Sequence, residues 1–337
     1  MKKISILYIG NNLTKKTKYN STLTILSNLL SKEGYNITIS SDKQNKLLRL
    51  ISMCLSVIKL RNKVSYILID TFSTSNFYYA LLTSQIARFF KIKYIPILHG
   101  GNLPYRISKN PLLSKLIFKN SFKNIAPSFY LKNEFEKQGY KTQFIPNILE
   151  IEDYNFIERL NIQPKILWVR AFKEIYNPTL AIKVLNLLKI DFPEAKLCMV
   201  GPFVDTSYTN TLELVKNLKL ENSVEFTDVL LKEDWHKKSE EFDIFINTTN
   251  FDNTPVSVME AMALGLPVVS TNVGGLPFLI DNKIDGLLVE KENEIVMTSA
   301  IKSILNNKFP DLVFNARKKV EGFSWQNNRQ KWLEILK

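Results

Sequence analysis

Residues Asn247–Ile280 read NTTNFDNTPVSVMEAMALGLPVVSTNVGGLPFLI. An apolar strand, DIFIN, runs into a polar loop. Thr254 has the side chain of a helix N-cap, and Pro255 suits the first helical position. The spacing predicts a helix over Pro255–Ala263, closed by Gly265, followed by a strand at Val268–Ser270. The amino end of such a helix offers free backbone N–H groups, here on Val256, Ser257 and Val258. Together with the helix dipole they favour an anion such as a phosphate. Glu260 lies inside the helix, eight residues after Asp252 in the loop. A carboxylate there repels phosphate but accepts hydrogen bonds from sugar or ribose hydroxyls.

Outward from this stretch, strand and helix alternate through the whole chain. In the second half the strands are Ile166–Val169, Leu197–Val200, Val224–Phe226, Ile244–Ile246, Val268–Ser270 and Leu287–Val289, with helices such as Pro178–Leu188 and Leu212–Leu218 between them. In the first half they are Ile4–Ile9, Asn36–Ser40, Val64–Ile69, Lys93–Leu98, Asn124–Ala126 and Thr142–Ile145, with helices such as Ser21–Lys32 and Asn76–Phe90. Runs such as YILI and YIPIL lack polar alternation, as expected of parallel strands covered on both faces. A polar, proline-bearing break from Ile145-Pro146-Asn147 to about Pro164 separates the halves. The expectation is an α/β chain of two doubly wound, Rossmann-like domains, 1–150 and 151–322, facing a central cleft. A last helix over 323–337 is anchored by Trp325, Trp332, Leu333 and Leu336. Ligands of open α/β sheets bind beyond the carboxyl ends of the strands, so the loops after strands hold the candidates.

The chain has 337 residues, 45% of them hydrophobic, and only two cysteines, Cys54 and Cys198, both in apolar runs. They read as core thiols in a reducing compartment. Lys2 and Lys3 precede an apolar run too short for a secretory signal, which points to a cytoplasmic protein. The longest apolar stretch, Leu47–Leu60, is interrupted by Arg49, Ser52, Ser56 and Lys59 and is too short to span a bilayer. Charge is uneven. Residues 1–150 carry 23 Lys and Arg against 6 Asp and Glu, a net +17, whereas 151–337 carry a net −4. A basic half attracts anionic partners.

The quoted stretch resembles the donor-binding signature of retaining glycosyltransferases of family four, which have the GT-B fold and a pattern like EGxPxxxxEAMAxGxPVV…GG. The matches are Pro255, Glu260, Ala261, Met262, Ala263, Gly265, Pro267, Val268, Val269, Gly274 and Gly275. The Ile145-Pro146-Asn147 segment, Gly201-Pro202 after a strand, and the final FSW helix extend the resemblance more weakly over nearly the whole chain. It implies that Glu260 holds the nucleotide ribose and that Asp252 stands where the first family Glu contacts the donor sugar. It implies that Val256, Ser257 and Val258, with Thr254 and Gly201, face the diphosphate or sugar. Arg170 in ILWVRAF then neutralises the leaving diphosphate, with Lys173 as a substitute for a family Lys missing near Tyr176. The family retains anomeric configuration and needs no divalent metal, and no Asp-x-Asp motif occurs here. Three departures stand out: Asp252 is one methylene shorter than Glu, Val169 replaces a glycine, and Phe278 replaces a frequent Glu.

His99-Gly100-Gly101 follows the strand YIPIL, so His99 reaches either the donor or only its own tight turn. Gly10-Asn11 follows the first strand and belongs to the acceptor side or to a plain strand–helix turn. On the basic half, Lys115, Lys119 and Lys123 recur every four residues and share one face if helical. They read either as solvated surface or as a dock for anionic lipid. Leu47–Leu60 reads first as a buried helix, with an interfacial helix as the alternative. No nucleic-acid-binding fold is recognisable, and the aromatic residues are not arranged with the basic ones. The leading expectation is a retaining transferase moving a sugar from a nucleotide-diphosphate sugar, its co-substrate, to a glycan or lipid-linked acceptor. It would act in polysaccharide or lipopolysaccharide synthesis at the inner face of the cytoplasmic membrane. A nucleotide-sugar epimerase and a non-catalytic nucleotide-sugar-binding scaffold are the alternatives.

Overall fold

The computed structural model describes residues 3–12 and 21–337; Lys2, Lys15, Lys16 and Lys18 of the basic half lie outside the described residues. The chain divides into one unit made of Met1–Ile148 with Trp325–Lys337 and a second of Leu149–Ser324.

The first unit runs β1 (Ser5–Ile9), α1 (Thr22–Lys32), β2 (Asn36–Ser40), α2 (Lys46–Leu60), β3 (Tyr66–Thr71), α3 (Asn76–Phe89), β4 (Lys93–Leu98), α4 (Leu103–Lys109), α5 (Pro111–Phe118), β5 (Asn124–Ala126), α6 (Phe129–Lys137) and β6 (Thr142–Phe144). The strands form a parallel sheet in the order β2-β1-β3-β4-β5-β6. β3 is buried along its whole length, which explains its unbroken apolar run. One face packs Ile6, Tyr8 and Leu68 against Leu23 and Leu26 of α1. The other packs Leu7, Ile67 and Leu98 against Met53, Val57, Phe77 and Ile117. β1, β3 and β4 are neighbours, so their carboxyl ends bring Gly10, Asp70 and His99 to one place.

The second unit runs β7 (Lys165–Val169), α7 (Pro178–Leu188), β8 (Lys196–Val200), α8 (Ser207–Asn217), β9 (Val224–Thr227), α9 (Lys232–Lys238), β10 (Ile244–Asn247), α10 (Val256–Ala263), β11 (Val268–Thr271), β12 (Leu287–Val289), α11 (Glu294–Leu305) and α12 (Leu312–Glu321). Its parallel sheet has the order β12-β11-β10-β7-β8-β9. β10, β7 and β8 are adjacent, which gathers the Asn250–Asn253 loop, Arg170 and Gly201 beyond their carboxyl ends. α13 (Trp325–Ile335) returns to the first unit, where Trp332, Ile335 and Leu336 join the core beside α1. Trp325 Nε1 and Arg329 Nε donate to the Glu33 carboxylate at 3.1 and 2.6 Å.

Several local readings need correction. Pro255 keeps an extended ψ of 121° and is itself the cap residue, so α10 starts at Val256 and Thr254 caps nothing. The carboxyl end is as expected. Gly265, at φ +78°, donates to Met262, and Leu266 donates to Ala261, a Schellman closure. β3 starts at Tyr66 because the Val64 N–H bonds back to Leu60 at the end of α2. α8 starts at Ser207 because the Asp205 carboxylate accepts the Ser207 N–H at 3.0 Å. α5 ends at Phe118, so Lys123 is not on the helix of Lys115. α2 is not a fully buried helix, since a row of its apolar side chains is open to solvent. No helix among the described residues is long and apolar enough to cross a membrane.

Candidate functional site

In the second unit the site is built on the β10–α10 connection. The loop before α10 is pinned from several sides. Thr248 Oγ1 donates to the Tyr176 carbonyl at 2.8 Å, and Thr271 Oγ1 donates to the Thr249 carbonyl at 2.6 Å. The Gly275 N–H reaches the Asp252 carbonyl at 2.9 Å. A Cβ on Gly274 or Gly275 would overlap the Asp252 and Asn253 carbonyls, so this approach of two loops requires the glycine pair. At the amino end of α10, Val258 donates to the Pro255 carbonyl at 3.2 Å and is not open, contrary to the expectation. The Val256 and Ser257 N–H groups have no backbone partner. The Thr254 and Ser257 hydroxyls there are also buried without a hydrogen bond. Two N–H groups and two hydroxyls at this helix end are thus left without a hydrogen-bond partner among the described residues, an arrangement suited to an anion with several oxygens.

Glu260 lies one turn further on, only 9% exposed. It accepts the Tyr154 hydroxyl at 2.8 Å. Burial lifts its carboxyl to about 7, with the Tyr154 hydrogen bond and the Lys232 charge pulling the other way. Burial and the neighbouring carboxylate push the Tyr154 phenol up, so it stays protonated and donates. Lys232 Nζ sits 4.4 Å from the Tyr154 ring centre. His236 Nε2 is 3.9 Å from the carboxylate, too far for a hydrogen bond, and is buried without a partner. Burial and Lys232 push that imidazole down to about 4, so it is neutral at pH 7. A carboxylate offers about four acceptor sites. With one donor and a neutral histidine beside it, Glu260 keeps room for hydroxyl groups.

Arg170, at the end of β7, forms an ion pair with Asp252. Its guanidinium lies 4.4 Å from the Tyr176 ring centre, a cation–π contact. Gly201 (φ +147°) lies against the Arg170 carbonyl, where any Cβ would overlap it. Gly201 therefore shapes the backbone under Arg170. Lys173 is exposed, and its charge acts on Asp205. The place near Tyr176 is taken by the ring itself, which lies against the Arg170 guanidinium.

In the first unit the Asp70 carboxylate accepts the Tyr8 hydroxyl at 3.0 Å and contacts His99 Nε2 at 2.9 Å. The His99 ring stacks on Phe72 with centroids 5.2 Å apart. A Cβ on Gly10 would press on the Asp70 carboxylate, and one on Gly100 would meet the Ser73 N–H. Gly101 starts the turn into α4. Asn11 is held by Arg49, whose Nη1 donates to its Oδ1 at 2.9 Å. His99 and Tyr8 also line a small pocket with Leu26, Pro127, Asn147 and Trp332.

Tyr154, His236 and Lys232 were not singled out from the sequence, nor were Asp70, Tyr8 and Arg49. Two of them carried a signal. Asp70 is an acid closing an apolar strand, and His236 is one of only two histidines in the chain.

The family model described as Glycosyl transferases group 1 matches residues 151–321, just over half of the chain. An uncharacterised glycosyltransferase of Haemophilus influenzae is 28% identical over 160 residues, covering 46% of this chain. That match spans 44% of the relative, less than two thirds of its length. The fold is that of a sucrose-phosphate synthase from Thermosynechococcus elongatus, with TM-score 0.80 at 15% identity over 99% of this chain and 98% of that one. HepE from Anabaena, solved with UDP and glucose, gives TM-score 0.78 at 15% identity over 98% and 99%.

Proposed function

Because the chain belongs to the glycosyl transferases group 1 family, we propose that it transfers a sugar from a nucleotide-diphosphate sugar to a glycan or lipid-linked acceptor, with retention of anomeric configuration. The acceptor is presented at an anionic membrane surface during polysaccharide or lipopolysaccharide synthesis. One observation carries this reading: Glu260 is a buried carboxylate with unfilled acceptor sites, on a helix whose amino end has unpartnered N–H and hydroxyl donors. Glu260 holds two adjacent ribose hydroxyls. The amino end of α10 holds the diphosphate.

When the anomeric C–O bond breaks, negative charge grows on the leaving phosphate. Arg170 supplies a planar cation fixed in advance by Asp252 and Tyr176. The incoming diphosphate competes with Asp252 for that guanidinium. This frees the Asp252 carboxylate to accept hydroxyls of the donor sugar. The leaving phosphate takes the acceptor proton on the same face, so no protein nucleophile is required. The positive charge comes from Arg170 and the helix end, and the reading requires no divalent metal.

A non-catalytic nucleotide-sugar binder is the second reading. It is favoured by Asp252 in place of a glutamate and by the tyrosine ring beside Arg170 near where the family has a lysine, which leaves the diphosphate one side-chain cation fewer there. Nucleoside diphosphate release from UDP-, GDP-, ADP- and dTDP-sugars, with EDTA present, separates the two. Release with one donor, reduced about 10²-fold in Arg170→Ala, is expected of the transferase. Binding without release, even with membrane extracts as the acceptor source, would establish the binder.

A further inference from the structure

α2 is apolar on two opposite sides. Its inner side packs Met53 and Val57 into the core of the first unit. Its outer side carries Leu47, Leu48, Ile51, Leu55 and Ile58, 37–64% exposed. Positions 47, 51, 55 and 58 fall on one stripe of a helix. A helix that is apolar all round belongs in a core or in lipid, and among the described residues of the first unit this side is left exposed. The neighbouring helices continue the feature. α3, packed beside α2, exposes Tyr78, Leu82 and Phe89, and α5, packed beside α3, exposes Leu112 and Leu116.

The charge around this ridge has one sign. From Lys43 to Asn133 the chain has fifteen Lys and Arg and a single carboxylate, Asp70. Asp70 is buried against Tyr8 and His99, so this stretch shows no carboxylate to solvent. Exposed cations border the ridge: Lys46 and Lys59 on α2 with Arg61 just beyond its end, Arg88 at the end of α3, and Lys115 on α5 with Lys119 just beyond its end. Aliphatic side chains in the middle with lysines at the margin match the depth profile of a lipid surface. Leucines enter the acyl boundary while ammonium groups reach the phosphates. A second copy of this chain would instead set cations against cations.

We propose that the α2–α3–α5 face docks the first unit on an anionic lipid bilayer, with the outer stripe of α2 as the inserting element. This rests on the reading of a membrane-presented acceptor and names the surface that meets the membrane. The test is flotation of the whole protein with phosphatidylglycerol–phosphatidylcholine vesicles at low salt, beside pure phosphatidylcholine. Binding to the anionic vesicles and not to the neutral ones is expected. Ile51→Glu with Leu55→Glu should lower partitioning by at least about tenfold per side chain. Lys59→Glu with Arg61→Glu should lower it and remove its salt dependence in part. These residues are exposed, so the thermal shift with nucleotide sugars should stay as in the wild type. Absence of flotation, or flotation unchanged by the Ile51 and Leu55 substitutions, overturns the docking face and leaves the donor reading intact. A lipid-independent dimer split by Leu55→Glu would also overturn it, in favour of a second copy. Flotation without any response to nucleotide sugars would support the docking and sink the donor reading.

Discussion

The chain has two histidines, and each faces a buried carboxylate, but the two pairs are built differently. In the first unit Asp70 contacts His99 at 2.9 Å and takes the Tyr8 hydroxyl as well. In the second unit Glu260 takes one hydroxyl, from Tyr154, and His236 stops 3.9 Å short with its Nε2 unpartnered. The closed pair fixes an imidazole in place. The open pair keeps acceptor capacity at the cost of two groups held away from their ordinary ionisation. A carboxylate satisfied by its own protein orients something else; one left part-filled is ready for a ligand.

The largest effect expected from this difference is in the pH dependence of stability. Glu260 is lifted from 4.5 to about 7, and His236 is lowered from 6.5 to about 4. Between these values the folded state keeps a proton on Glu260 that the unfolded state has released. That contribution to stability is present at low pH and is lost as pH rises to about 7. For His236 the unfolded state holds the extra proton, so its contribution is lost as pH falls and grows as pH rises from about 4 to 6.5. Each amounts to roughly 3 kcal/mol over its window, and in the wild type they nearly cancel. Glu260→Gln should leave only the rising term and His236→Phe only the falling one. Denaturant midpoints measured from pH 4 to 8 would show opposite slopes in the two variants. Parallel slopes would mean that the pair is not held as described.

The closed pair is sharpened by Asp70→Ala. The Tyr8 hydroxyl and the His99 ring then lose their buried partner, at a cost of about 2 kcal/mol, visible as a lower melting temperature. Nucleotide-sugar binding in the second unit should be unchanged, because Asp70 serves only the first. A smaller effect is expected in the affinity itself. Ribose hydroxyls donate to the carboxylate, so donor affinity should rise by up to about tenfold from pH 6 to 8 as Glu260 ionises. Calorimetric titration at several pH values checks this, and Glu260→Gln should flatten the profile.

Much of the second unit was legible because its evidence lies within one stretch. Asp252, Pro255, Glu260, Gly265 and the glycine pair sit in about 25 residues, and their spacing is local chemistry. The two sheets were legible from unbroken apolar strands alternating with helices. The partners that define the pairs were not. Tyr154 meets Glu260 across 106 residues, and Tyr8 meets Asp70 across 62. Such contacts come from strand order, which no local pattern contains. Thr254 misled for a local reason: it has a capping side chain, but Pro255 keeps an extended ψ and moves the helix start beyond its reach. α2 misled because an apolar run shows that a helix is wanted in a low-dielectric place without showing whether that place is a protein core.

The most direct test of the account is a thermal-shift titration with UDP-, GDP-, ADP- and dTDP-sugars in EDTA, comparing the wild type with Glu260→Gln and Asp70→Asn. A donor at 100 times its dissociation constant should stabilise the wild type by about 2.7 kcal/mol. Removing the charged acceptor of two hydroxyls should weaken binding about 10²-fold in Glu260→Gln, while Asp70→Asn keeps the full shift. If Glu260→Gln binds the donor as tightly as the wild type, Glu260 is not the donor's hydroxyl acceptor and the contrast between the two pairs has no functional meaning.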